Sequence, residues 1–201
     1  KKILYGGIIM RKSFMVEFTG TPEAGKTTSI KNLANKLIGA GYKVTVLKES
    51  AESLPPEIPK GTWDANLWMH FQTTAEILRA SHINADIILI DRGLIDSNFY
   101  GKKFLWENLV TKEQYENFRK QFIEELFPNF LIALTVSPLT AIKRRGGAGH
   151  LVNNVYIKKY NEFFMRYYNE LKCNKVIIET EKLDIYQMND IIYKVILKNL
   201  P

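Results

Sequence analysis

Cysteine is almost absent from this chain, since Cys173 is the only one among its 201 residues. A disulfide within the chain is therefore impossible, which excludes the small disulfide-stapled secreted folds. A single thiol fits a reducing compartment, and the sequence predicts a cytoplasmic protein. Long apolar runs are missing too: none approaches the ~18 residues that a membrane-spanning helix needs, so we expect no membrane partner.

Acidic residues are in the minority. Asp and Glu number 21 against 28 Lys and Arg, which gives a formal net charge of +7. Such a balance favours anionic partners, such as phosphates, nucleic acid or a membrane surface, although it also serves solubility alone. With 46% hydrophobic and 24% charged residues, the composition fits one globular domain and excludes wholesale disorder, collagen and a coiled-coil rod.

The first residues differ from the rest of the chain. Residues 1–12 hold two lysines and a short apolar stretch, which Arg11 and Lys12 end without the small-residue cleavage site of a signal peptide. We expect residues 1–12 to be an N-terminal leader or an appended remnant, and residues 13–201 to form a single domain.

Short β-type runs alternate with longer runs of helical periodicity. Strands are predicted at 13–19, 42–48, 87–90, 130–136 and 175–180. Helices are predicted at 26–39, 63–84, 95–108, 112–127, 138–145, 152–172 and 184–198. This alternation predicts an α/β fold with a five-stranded parallel sheet that is covered by helices on both faces.

A glycine-rich segment joins the first predicted strand to the first helix. Residues 20–27 read Gly-Thr-Pro-Glu-Ala-Gly-Lys-Thr, with two glycines, Lys26 and Thr27 at the spacing of a P-loop. Backbone N–H groups of such a loop surround a polyphosphate, Lys26 reaches its β and γ oxygens, and Thr27 binds Mg²⁺. The alternative is a glycine-rich turn without a ligand. We expect ATP and Mg²⁺ as cofactors, with seven nucleotide-binding residues: Gly20, Glu23, Ala24, Gly25, Lys26, Thr27 and Thr28.

Asp91 and Arg92 follow the third predicted strand. Ligands of open α/β sheets bind outside the carboxyl ends of the strands. Asp91 is therefore a candidate to accept a proton from an attacking hydroxyl or to hold Mg²⁺, and Arg92 is a candidate to clamp a phosphate or the transferring phosphoryl group. The alternative is an Asp–Arg pair that only caps the strand.

A basic, glycine-rich segment lies between the helices predicted at 138–145 and 152–172. Lys143, Arg144 and Arg145 are followed by three glycines within four residues. This composition predicts a small lid at about 143–152 that closes over the triphosphate, with Arg144 or Arg145 as its catalytic arginine. The alternative is a solvated basic loop that ends a helix.

The long helix predicted at 63–84 carries candidate acceptor-binding residues. Gln72 and Arg79 are seven residues apart and share a face, and the small Ala75 between them leaves room for a planar base. Trp68 and Phe71 are candidates either to stack on that base or to pack in the core.

In order and spacing, these motifs resemble the thymidylate kinase and deoxynucleoside kinase superfamily over about residues 13–198. The resemblance rests on the Gly-x-x-x-x-Gly-Lys-Thr-Thr loop, the Asp-Arg pair, the basic lid and the Phe-Gln-Thr of the long helix. It implies a three-layer P-loop NTPase fold, with residues 13–201 as a single P-loop kinase domain. It also implies that Asp91 deprotonates a sugar hydroxyl, that Arg92 contacts an acceptor phosphate and that Gln72 reads the base edge.

The resemblance implies a Mg²⁺-dependent phosphotransferase that moves the γ-phosphoryl group of ATP to a nucleoside or a nucleoside monophosphate. A P-loop kinase for a non-nucleoside small molecule and a nucleotide-binding ATPase or switch are the alternatives. We expect a nucleotide and a small-molecule acceptor as partners, with a homodimer as one possibility and no stable nucleic acid partner.

Overall fold

The computed structural model describes residues 13–146 and 153–201, and its core is one parallel sheet. The strands are β1 (Phe14–Gly20), β2 (Val44–Leu47), β3 (Ile87–Asp91), β4 (Phe130–Thr135) and β5 (Lys175–Glu179). The helices are α1 (Lys26–Gly39), α2 (Trp63–Ser81), α3 (Leu94–Trp106), α4 (Lys112–Arg119), α5 (Pro138–Arg144), α6 (Asn154–Glu170) and α7 (Ile185–Asn199).

The strands lie in the order β2-β3-β1-β4-β5, and every neighbouring pair is parallel. The chain leaves β1 toward β2 and β3 on one side and later reaches β4 and β5 on the other. A sheet in which the strand order reverses in this way leaves a crevice at its carboxyl edge, where ligands bind. The phosphate loop predicted from the sequence starts at that edge, at the end of β1.

Helices cover both faces of this sheet. On one face, Leu33 and Leu37 of α1 and Ile192 and Ile196 of α7 are fully buried against the strands. The burial follows the 3.6-residue period of both helices, which places their apolar side chains on one stripe.

The opposite face carries α2, α3 and α6. Ile77 of α2 packs on β1 and β3, whereas Phe99 of α3 meets Tyr160 and Phe164 of α6 at ring-centroid distances of 5.1 and 5.4 Å. The predicted three-layer α/β architecture is therefore confirmed.

The helix predicted at 112–127 is wrong in its second half. Helix α4 ends at Arg119, and a 3-10 turn follows at Glu124–Leu126. The turn separates two apolar side chains: Phe118 packs under α3, whereas Leu126 is fully buried against β1 and β3. Burial of both side chains outweighs the helical spacing that links them.

Two expected segments fall wholly or partly beyond the described residues: the leader 1–12, and residues 147–152 of the lid. In the part of the chain that is described, no helix combines the length and the apolar composition that crossing a membrane requires.

Candidate active site

The loop between β1 and α1 takes a conformation that depends on its glycines. Gly20 has φ +114°, and a Cβ there would lie 2.1 Å from the carbonyl oxygen of Leu134, so only glycine fits. Gly25, the N-cap of α1, has φ +94° and brings no side chain to cap the first amides of the helix. These amides and the positive end of the helix dipole are therefore left for an anion.

Lys26 is buried at the base of this loop. Its Nζ donates to the carbonyl oxygens of Gly20 at 3.1 Å and Thr21 at 2.8 Å. Burial, reinforced by the neighbouring Arg92, lowers the pKa of Lys26 to about 7. An arriving polyphosphate would favour the charged form, because a nearby anion raises the pKa of an ammonium group.

Helix α6 holds the loop from the far side. The Tyr160 hydroxyl donates to the Gly20 carbonyl at 3.0 Å, and the Thr21 hydroxyl donates to Asn161 Oδ1 at 2.7 Å. Asn161 Nδ2 in turn donates to the carbonyl of Val136 at 3.0 Å. Sequence reasoning missed both α6 residues as supports of the loop, since they lie 140 residues further along the chain and carried no local signal.

The predicted metal-binding pair is in direct contact. The Thr27 hydroxyl donates to Asp91 Oδ2 at 2.6 Å. The other carboxylate oxygen, Oδ1, is buried and finds no hydrogen-bond partner among the described residues. Buried polar atoms normally have partners, and a hydroxyl beside a carboxylate is an oxygen donor set of the kind that Mg²⁺ prefers. The residues present therefore fit Mg²⁺.

Arg92 lies next to this pair and is held in a left-handed conformation with φ +60°. Its backbone N–H donates to the carbonyl of Phe18 at 2.9 Å. Its guanidinium group lies between two carboxylates: Nε is 3.1 Å from Glu49 Oε1, and Nη1 donates to Asp96 Oδ1 and Oδ2 at 3.0 and 3.1 Å. The strained backbone therefore presents a guanidinium group that is fixed on two sides.

A buried carboxyl group supports the segment that carries Arg92. Glu17 of β1 accepts hydrogen bonds from the N–H groups of Ile95 at 3.1 Å and Asp96 at 2.8 Å, which cap α3. Burial raises the pKa of Glu17 to about 8. A Cβ on Gly93 would lie 2.5 Å from Glu17 Oε2, so the chain passes directly over this carboxyl group.

A cavity of about 220 Å³ opens beside Arg92. It lies between the segment that follows β2 and helices α2, α3 and α6. Its polar lining residues are Glu49, Ser50, Lys60, Thr62, Asn66, Thr73, Arg92, Asp96, Ser97, Tyr100 and Tyr156. Its apolar lining residues include Leu54, Ala65, Met69 and Phe104. A cavity that combines apolar side chains with a few polar groups is typical of a small-molecule pocket.

None of the four acceptor-binding residues predicted on α2 is among the residues that line this cavity in the described structure. Helix α2 turns Asn66 and Thr73 into it, whereas Gln72 and Arg79 line a neighbouring groove. Arg79 is paired there with Glu76 at 2.7 Å. Because successive helical residues point about 100° apart, Thr73 and its neighbour Gln72 face different spaces.

The two aromatic candidates of α2, Trp68 and Phe71, also point away from the cavity. Phe71 is 54% exposed, and Trp68 is half-buried. Neither is among the residues that line the cavity in the described structure.

Glu49 is a site residue that sequence reasoning missed. Its side chain lines the cavity and pairs with Arg92, and burial raises its pKa, with Asp96 and Asp91 contributing and Arg92 opposing. The signal was available, since Glu49 follows β2 at the same carboxyl edge of the sheet as Asp91.

The two arginines that the sequence analysis assigns to a lid lie at the rim of the phosphate loop. Arg144 donates to the hydroxyl and the carbonyl oxygen of Thr180 at 2.9 and 2.8 Å, and to the carbonyl of Glu23 at 3.3 Å. Arg145 is 3.5 Å from the carboxylate of Glu23. Both arginines therefore contact the phosphate loop directly, whereas the sequence predicted only that one of them would act over the triphosphate.

Known proteins resemble this chain in sequence and in fold. The thymidylate kinase of Finegoldia magna is 28% identical over 184 residues, which cover 83% of this chain and 85% of that protein. Among solved structures, deoxyadenosine kinase from M. mycoides with bound dATP has a TM-score of 0.70 at 22% identity, covering 90% of this chain and 98% of its own. Thymidylate kinase from Candida albicans has a TM-score of 0.69 at 16% identity, covering 96% and 95%.

No protein-family model matches the chain. The structural neighbours nevertheless cover nine-tenths or more of it. The chain therefore has the fold of the thymidylate kinase-like and deoxynucleoside kinase-like P-loop kinases, which confirms the resemblance that its motifs carry.

Proposed function

We propose that this chain is a Mg²⁺-dependent kinase that transfers the γ-phosphoryl group of ATP to a hydroxyl of a nucleoside or a nucleoside monophosphate. One observation carries the proposal: Asp91 bonds the phosphate loop through Thr27, and the next residue, Arg92, lines the cavity. Donor and acceptor sites thus meet at one dipeptide. The thymidylate kinase relative and the deoxyadenosine kinase neighbour support the same assignment.

On the donor side, the loop amides and Lys26 hold the triphosphate. The predicted nucleotide-binding residues Glu23 and Thr28 take part through their backbone, since the amides of this loop and of the first turn of α1 point to the anion. Arg144 and Arg145 stand at the rim of the loop and would neutralise charge on the transferring group after the lid closes.

Thr27 and Asp91 would hold Mg²⁺. The bound ion supplies charge neutralisation at the phosphoryl oxygens and orients them for transfer. Asp91 suits this role better than proton abstraction, because one of its carboxylate oxygens already accepts from Thr27 and the other is buried with no hydrogen-bond partner among the described residues.

On the acceptor side, Glu49 takes the proton. The acceptor oxygen forms a bond to the γ-phosphorus, the bond to the bridging oxygen breaks and ADP leaves, while the hydroxyl proton passes to the Glu49 carboxylate. Burial raises the pKa of Glu49, which makes its carboxylate a stronger base than an ordinary one. Arg92 holds Glu49 in place. It would also stabilise negative charge on the phosphoryl group during transfer.

A screen of acceptors tests the proposal. ATP consumption with Mg²⁺ is measured against nucleosides, nucleoside monophosphates and non-nucleoside hydroxyl compounds, and products are identified by mass spectrometry. We expect phosphorylated nucleosides or nucleotides. Transfer confined to non-nucleoside compounds, or turnover stimulated only by nucleic acid or protein, would contradict the proposal. The homodimer and the cytoplasmic location expected from the sequence stay predictions.

A further inference from the structure

A buried contact joins the end of β1 to the first turn of α3. Thr19 is the penultimate residue of β1 and directly precedes Gly20, where the phosphate loop begins. Its hydroxyl donates to Asp96 Oδ1. Both side chains are buried, so water does not compete for this hydrogen bond. The contact therefore ties α3 to the strand that carries the phosphate loop.

The same carboxylate holds the guanidinium group of Arg92. Nη1 of Arg92 donates to Oδ1 and Oδ2 of Asp96 at 3.0 and 3.1 Å. Hydrogen bonds between charged groups are stronger than neutral ones. Oδ1 accepts from Thr19 and from Arg92, so one oxygen atom links the end of β1 to the guanidinium group.

The backbone of this turn is anchored on β1 as well. The N–H of Asp96 donates to Glu17 Oε1 at 2.8 Å, and the N–H of Arg92 donates to the carbonyl of Phe18 at 2.9 Å. Glu17 and Thr19 are two residues apart on one strand, so their side chains share a face of the sheet. Strand β1 thus holds Asp96 by its N–H and by its carboxylate.

The two carboxylates beside Arg92 differ in exposure. The side chain of Glu49 is 36% exposed, whereas that of Asp96 is 5% exposed. Asp96 lines the cavity, but both of its oxygens already accept hydrogen bonds from the protein. Asp96 is therefore suited to hold Arg92, and the more exposed Glu49 is suited to meet the acceptor.

We infer that Thr19 and Asp96 are positioning residues of the transfer reaction: the Thr19 hydroxyl fixes Asp96, and Asp96 fixes the Arg92 guanidinium group beside the phosphate loop. The inference rests on the proposed function, in which Arg92 stabilises charge on the transferring phosphoryl group. Displacing a group by about 1 Å can lower a rate by roughly 10²-fold. The loss of this linkage should therefore appear in kcat rather than in the binding of either substrate.

Removal of one hydroxyl tests the linkage. Thr19→Val keeps the branched shape of the side chain, and we expect kcat to fall by about tenfold while KM for ATP and for the acceptor stays within about twofold. Thr19→Ser restores a hydroxyl and should recover most of the rate. Thr45→Val is the matched control, since Thr45 is a half-buried threonine on the edge strand β2. A parental kcat in Thr19→Val, with or without a lower melting temperature, overturns the inference.

A double-mutant cycle tests whether Thr19 acts through Arg92. Arg92→Asn removes the guanidinium group, and asparagine tolerates the positive φ of this position. In that background, Thr19→Val should change the single-turnover rate by less than about twofold. An equal tenfold loss in both backgrounds overturns the inference.

Two further points keep the test decisive. Arg92→Gly also accepts this φ and replaces Arg92→Asn if the latter does not fold. If the parent chain phosphorylates no acceptor, the proposed function fails and the inference with it. If the parent chain is active and Thr19→Val matches Thr45→Val, only the inference fails.

Discussion

The donor half and the acceptor half of this site are built in different ways. The donor half is a continuous stretch of chain, residues 20–28, completed by Asp91. The acceptor half gathers side chains from the segment after β2 and from α2, α3 and α6. Phosphate recognition depends on backbone amides, so the spacing of glycines and polar residues within one short segment predicts it. Acceptor recognition depends on the packing of distant segments.

The two halves also differ in how they balance charge. The donor half places a single buried ammonium group, Lys26, among carbonyl oxygens and free helix amides, so it is prepared for an anion. The acceptor half places Arg92 between two carboxylates, so it is already neutralised.

The largest expected effect comes from removing the donor cation. Lys26→Ala should lower kcat/KM for ATP by about 10³-fold or more, because the phosphates lose a fixed buried charge. Acceptor binding should stay within a few-fold, as measured by calorimetry. Lys31→Ala, on the exposed side of α1, is the control and should behave as the parent chain. Near-normal turnover in Lys26→Ala would remove the loop from the mechanism.

The junction of the two halves should respond next most strongly. Asp91→Asn should lower kcat by about 10²-fold while ATP affinity stays similar, since the amide keeps the shape of the side chain and loses its charge. Raising the Mg²⁺ concentration should recover part of the rate, which a purely structural role would not allow. An unchanged kcat would assign the metal to other residues.

A pair of α2 variants sharpens the boundary of the acceptor half. Asn66→Ala should raise the KM of the acceptor by about tenfold, because a buried hydrogen bond to the ligand contributes roughly 1–1.5 kcal/mol. Gln72→Ala should have a smaller effect, because Gln72 lines the groove beside the cavity. The KM of ATP should be unchanged in both. A larger effect at Gln72 would favour the role that the resemblance to deoxynucleoside kinases implies, in which Gln72 reads the base edge.

The smallest expected effect concerns the support under Arg92. Burial raises the pKa of Glu17 from 4.5 to about 8, so between these values the folded chain holds a proton that the unfolded chain has lost. The free energy of unfolding should therefore fall as pH rises through this window, by at most about 1.4 kcal/mol per pH unit.

Glu17→Gln keeps this side chain neutral at every pH and should flatten that slope in chemical denaturation between about pH 5 and pH 8. Glu179→Gln, on the exposed end of β5, is the control and should retain the slope. If both variants keep the slope of the parent chain, Glu17 titrates normally and does not contribute to it.

The sequence allowed prediction of the parts that follow local rules. Helix α1 begins and ends as its periodicity predicts, at Lys26 and Gly39, and the five strands lie in the expected parallel sheet of the described chain. The Thr27–Asp91 contact also follows from a local rule, since Asp91 ends β3 and Thr27 lies in the first turn of α1, just beyond the carboxyl end of the neighbouring strand β1.

What depends on distant packing was not predictable. Tyr160 and Asn161 hold the phosphate loop from a helix that periodicity could only describe as packing against the core. The face of α2 that meets the acceptor cavity was also uncertain, because Gln72 and Thr73 are adjacent in sequence and only the position of the surrounding elements decides between them. A neighbouring residue on a helix changes direction by about 100°, so a one-residue difference changes the predicted ligand contact.

Transfer of labelled phosphate tests the central claim most directly. The chain is incubated with Mg²⁺, γ-labelled ATP and a mixture of nucleosides and nucleoside monophosphates, and the label is followed by chromatography. The account predicts that the label appears in a nucleoside monophosphate or diphosphate, in step with ADP formation, and that Lys26→Ala abolishes both. Release of the label only as inorganic phosphate, or its retention in ATP with well-folded protein, would contradict the claim that donor and acceptor sites meet at Asp91 and Arg92.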